Sequence, residues 1–126
     1  MGQRNVLLVD DDAQIREVVQ LTLEVVGGWT VRLANGGAEA IEAVQSEAPD
    51  VILLDLMMPG MDGPEALRRL RQAVPQRIPV ILLSAKVQER WADRRVGDVD
   101  VAGVIGKPFD PITLPGRISD ILGWTE

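Results

Sequence analysis

Four apolar runs in this chain each lead to a residue that can do chemistry. Val6-Leu7-Leu8-Val9 runs into Asp10 and Asp11, Val51-Ile52-Leu53-Leu54 into Asp55, Val80-Ile81-Leu82-Leu83 into Ser84, and Val101–Ile105 stops shortly before Lys107. Short runs of this kind read as buried strands. In a parallel sheet their C-terminal ends lie along one edge, where open α/β folds bind ligands. Carboxylates, a hydroxyl and an ammonium meeting there suit a divalent metal and a phosphoryl group. Carboxylates held together repel one another, and a hard cation relieves this. Every candidate ligand is an oxygen donor, which favours Mg²⁺ or Mn²⁺ over zinc or copper. A carboxylate can also be the nucleophile of phosphoryl transfer, giving an aspartyl phosphate, with positioning and charge neutralisation supplying the rate. Lys107 and Ser84 would then each contact a phosphoryl oxygen.

Apolar runs alternating with helical patterns must position these residues, and that alternation marks βαβ units. Ala13–Val26 places Ile15, Val18, Val19, Thr22, Leu23 and Val26 at helical spacing, with Asp12 as the cap and Gly27-Gly28 as the stop. Trp29–Ala34 alternates as a strand, and Asn35-Gly36-Gly37 turns. Ala38–Ser46 reads as a helix with Ala40, Ile41 and Val44 inward. The segment from Met57 to Gly63 is a loop, and Pro64 suits the first turn of a helix carrying Leu67 and Leu70. The weakest pattern is Lys86–Asp100, where a short helix is expected. Asp110 caps a last helix with Pro111 first, burying Ile112, Leu114, Ile118, Ile121 and Leu122, although Pro115 points to a later start. Five such units with right-handed crossovers fit a flavodoxin-like, doubly wound α/β fold. Its five-stranded parallel sheet would have the order 2-1-3-4-5, with helices on both faces.

A length of 126 residues, 46% of them hydrophobic, fits a single domain over 1–126 with its core at about 5–123 and no output domain. The absence of cysteine rules out disulfides and thiolate metal sites, and the absence of histidine rules out imidazole ligands and Ser-His-Asp catalysis. No apolar run approaches the roughly 18 residues of a membrane span, and no signal segment opens the chain. The expectation is a cytoplasmic protein without a membrane partner. Residues 1–65 carry 12 acids and 3 bases, whereas residues 66–95 carry 2 acids and 8 bases. The basic stretch, from Arg68 to Arg95, reads as solvated helix faces rather than as a nucleic-acid patch.

Val9-Asp10-Asp11, Asp55-x-x-x-Pro59-Gly60-Met61-Asp62-Gly63, Leu83-Ser84-Ala85 and Lys107-Pro108-Phe109, in that order, resemble the receiver domain of bacterial two-component response regulators. Any one motif is weak; four in order with these separations are specific. The resemblance implies that Asp55 accepts phosphate from a histidine kinase or histidine phosphotransfer protein. It implies Mg²⁺ held by Asp11, Asp55 and the backbone carbonyl of Met57, with Asp10 acting through water or from behind, and Ser84 and Lys107 on the phosphoryl group. Met57 and Lys86 would tune the phosphate's lifetime, and Ile15, Val18, Pro108 and Phe109 would dock the kinase. Output would be altered binding to another protein or onward transfer of phosphate, from a monomer or weak dimer. One departure is Val104, where receivers commonly carry Tyr or Phe; an aromatic swing cannot carry the signal here. A rival reading takes Asp10-x-Asp12 as the nucleophile and acid of a haloacid dehalogenase-like phosphohydrolase. A flavodoxin-like FMN binder lacks its phosphate loop after the first strand.

Overall fold

The computed structural model describes residues 4–10, 12–55, 63–73, 78–84, 95–96, 99–106 and 109–124. Five strands, β1 (Asn5–Val9), β2 (Thr30–Ala34), β3 (Val51–Asp55), β4 (Val80–Ser84) and β5 (Gly103–Gly106), form one sheet in the order β2-β1-β3-β4-β5. Every neighbouring pair is parallel, as the alternation of runs and helices predicts. The three central strands are continuous Val, Ile and Leu because both of their faces are covered. At the edge, β2 is mixed: Val31 and Ala34 are buried while Thr30 and Leu33 are exposed.

Successive strand residues point to opposite faces, and so feed two cores. On one face α1 (Ala13–Val25) and α4 (Leu114–Leu122) set Val19, Leu23, Leu114 and Ile118 against Val6, Leu8, Leu53, Ile81 and Ile105. On the other, α2 (Gly37–Ser46) and α3 (Gly63–Ala73) set Ala40, Val44 and Leu70 against Leu7, Val9, Ile52, Leu54 and Leu82. Each fully buried Leu or Ile contributes about 1.5–3 kcal/mol, so the strand ends sit on a stiff platform.

Two expectations are corrected. Val18 and Val26 are 47% and 54% exposed, flanking the buried stripe of α1 rather than belonging to it. Ile112 is 64% exposed. Asp110 caps a 3₁₀ turn, Pro111–Thr113, its Oδ1 accepting the Ile112 N–H at 3.0 Å, and α4 begins only at Leu114 with Pro115 in its first turn. A 3₁₀ turn has three residues per turn rather than 3.6, so Ile112 leaves the face shared by Leu114 and Ile118. Of the segment 86–100, Arg95–Val96 and Val99–Asp100 pair antiparallel, and the expectation of a short helix over the rest of it falls outside the described residues. Valines at 96 and 99 favour the extended chain. Residues 86–94 lie outside the described residues, as does the expected loop at 57–62.

Candidate functional site

β1 and β3 run side by side with Val9 opposite Leu54. Continuing that register one step sets Asp10 beside Asp55, on strands that lie about 4.8 Å apart. Neither acid is on the surface: Asp10 is 0% and Asp55 3% exposed. β4 reaches one residue further, since Asp55 pairs with Leu83 and Ser84 with Gly106. The C-terminal edge therefore gathers Asp10, Asp55 and the Ser84 backbone, and Gly106 delivers the chain to Lys107 in sequence. Asp11, Met57, Lys86, Lys107 and Pro108 lie outside the described residues, and the Ser84 side chain is not described.

Asp10 and Asp12, after β1, are held by polar contacts. Asp10 donates its N–H to the Ala34 carbonyl at 3.1 Å, and its Oδ1 accepts the Asp12 N–H at 2.9 Å. Arg16 donates from Nη1 to the Asp10 carbonyl at 2.8 Å and to the Asn35 side-chain oxygen. Asp12 Oδ1 accepts from the N–H groups of Gln14 (2.9 Å) and Ile15 (3.3 Å), capping α1 as expected. This occupation counts against the phosphohydrolase rival, which needs Asp12 as a proton donor at the site. Sequence reasoning missed Arg16 and Asn35. The available signal was an arginine one turn beyond the cap of the helix that follows the acidic loop.

Of the expected docking residues, Ile15 and Phe109 are partly buried and Val18 is exposed. Leu21 (63%) and Val25 (72%) extend Val18 along one side of α1 at helical spacing. α1 packs against the 3₁₀ turn that carries the exposed Ile112.

Among the described residues no group of three or more acidic, His or Cys side chains could hold a metal ion. The donor chemistry still fits one, because two carboxylates buried side by side offer hard oxygen ligands and no soft ones. Mg²⁺ typically takes one or two carboxylates and keeps several waters.

The model of the response regulator receiver domain family matches residues 6–119. Response regulator MprA of Mycobacterium ulcerans is 38% identical over 123 residues, which are 96% of this chain and 51% of that protein. The chain thus spans about half the length of this relative. Chemotaxis response regulator CheY4 of Vibrio cholerae has a TM-score of 0.81 at 32% identity, covering 95% of this chain and 99% of that one. The receiver domain of the sensor histidine kinase PA1611 from Pseudomonas aeruginosa, 26% identical with a TM-score of 0.79, covers 97% of this chain and 99% of its own. It was solved with a magnesium ion coordinated in its active-site cleft. The family match runs from β1 into α4, over the strand order and the paired acids described above, and the chain belongs to the receiver domains of two-component response regulators.

Proposed function

We propose that this receiver takes a phosphoryl group onto Asp55 from a histidine kinase or a histidine phosphotransfer protein. A carboxylate oxygen of Asp55 forms the new P–O bond as the donor's P–N bond breaks, and the imidazole leaves with its electron pair. Mg²⁺, when bound, neutralises charge on the phosphoryl oxygens. Asp11, Asp55 and the Met57 carbonyl would hold it, with Asp10 behind them. Ser84 and Lys107 would receive the phosphoryl oxygens, while Met57 and Lys86 tune the rate at which water removes the group. The observation that carries this reading is the register placing Asp10 and Asp55 side by side, buried, at the C-terminal edge of the sheet.

Adding a group of charge near −2 shifts a two-state equilibrium. Val104 packs against the core on the α2–α3 side, and a β-branched side chain is stiff at χ1. The output therefore travels through Ser84 and the segments behind β4 and β5, as altered protein binding or as onward transfer in the cytoplasm. The exposed strip Val18–Leu21–Val25 beside Ile112 supports docking of the donor on α1, near Ile15, Pro108 and Phe109. The test is intact-mass analysis after incubation with Mg²⁺ and acetyl phosphate, for wild type, Asp55→Ala and Asp10→Asn. One adduct lost in Asp55→Ala supports the reading; an adduct that survives there but vanishes in Asp10→Asn sinks it.

A further inference from the structure

Arg16 takes no part in the chemistry above, yet it grips the backbone of Asp10, one member of the acidic pair. It lies half-buried in α1 and donates from Nη1 to the Asp10 carbonyl and to the Asn35 side chain. Asn35 is itself braced, because Glu39 accepts its backbone N–H at 2.9 Å and its side-chain amide at 3.3 Å. A line of polar contacts thus runs from the first turn of α2, through the turn after β2, to the carbonyl of a residue that is 0% exposed. Asp10 is held by its N–H on β2, by its carbonyl on Arg16 and by its Oδ1 on the Asp12 N–H. The Arg16 contact ties the Asp10 backbone to the turn after β2 through side chains.

We propose that Arg16 is a positioning residue which, braced by Asn35 and Glu39, sets the aim of the Asp10–Asp55 pair toward Mg²⁺. The inference rests on the receiver reading. Two effects of Arg16 on a bound cation oppose each other. Its charge repels Mg²⁺, so a purely electrostatic role would make its loss tighten binding. Its hold orients a ligand-bearing loop, so loss of a positioning role loosens binding, and partners behind metal ligands are typically worth about 10- to 100-fold in affinity or activity.

Calorimetric titration of the full chain with MgCl₂ at fixed ionic strength separates the two, for wild type, Arg16→Met, Arg16→Lys and Asn35→Ala, each checked for folding by a thermal melt. Arg16→Met should weaken Mg²⁺ binding about tenfold or more. Asn35→Ala leaves every charge in place and should weaken it in the same direction, and Arg16→Lys, which keeps a donor nitrogen, should recover part of the loss. Adduct formation from acetyl phosphate should slow at low Mg²⁺ and recover at saturating Mg²⁺. Unchanged or tighter binding in folded Arg16→Met overturns the proposal. If that variant does not fold, wild-type affinity in Asn35→Ala overturns it instead. A wild type that neither binds Mg²⁺ nor gains phosphate would sink the receiver reading and this inference together, a different result from wild-type activity that Arg16→Met shares.

Discussion

At the level of single residues, Asp12 separates the two chemistries the sequence allows. Its Oδ1 accepts two N–H groups at the start of α1, and removing such a cap costs about 1 kcal/mol. Asp12→Ala should therefore lower stability by about that amount in a urea titration while leaving the phosphoryl adduct on Asp55 intact; a phosphohydrolase built on Asp10 and Asp12 would lose its turnover instead. The cap was legible because capping is local: an acid, then a helical pattern. Arg16 was not, because its partners are the carbonyl of Asp10 and an asparagine that only the β1–β2 pairing brings near. Ile112 was misread for a related reason. Asp110-Pro111 signals a helical start, but the second proline, Pro115, divides the segment, and the sequence pattern does not distinguish a 3₁₀ turn from the helix that follows.

At the level of elements, the strands were legible to within a residue or two because burial on both faces leaves unbroken apolar runs. The edge element β5 is less plain, and its first residue shows why. A Cβ on Gly103 would stand 2.8 Å from Ile121 Cγ2, closer than such atoms pack, so Ile121 of α4 sits over the start of β5 because position 103 carries no side chain. Gly103→Ala must push Ile121 aside, and overpacking of this kind costs about 1–3 kcal/mol. Chemical denaturation should show that loss, and Gly103→Ala combined with Ile121→Val should recover part of it. The pairing of Arg95–Val96 with Val99–Asp100 escaped the sequence reading because two-residue strands carry no periodicity. Arg32 makes the opposite point about edges. From β2 it donates to the Ala43 carbonyl at 2.8 Å and to the Glu47 carbonyl, closing the C-terminal end of α2. Arg32→Met should cost on the order of 1 kcal/mol by removing these bonds, since the Ala43 carbonyl keeps the Glu47 N–H at 3.1 Å and Glu47 is exposed to water, with little effect on Asp55, which lies at the opposite end of the sheet.

At the level of the whole molecule, the fold places its least comfortable charges where its core is stiffest. Buried acids side by side cost stability, and a cation that binds only the folded chain returns it through linkage. At a free concentration about 100 times its dissociation constant, such a ligand adds about 2.7 kcal/mol. For a chain of this length that is a rise of roughly 10 °C in thermal midpoint. Mg²⁺ should therefore raise the melting temperature of the wild type in a saturable way. Asp55→Asn, which removes one of the paired carboxylates, should flatten the response. The control is ionic strength, since a net charge of −6 makes any salt stabilising by screening self-repulsion. NaCl at matched ionic strength should give a small, unsaturating rise, equal in wild type and Asp55→Asn. If Mg²⁺ does no more than NaCl, the acidic pair is not a metal site and screening accounts for the whole effect. If Mg²⁺ saturates and Asp55→Asn does not respond, the strand-end carboxylates are what the cation finds.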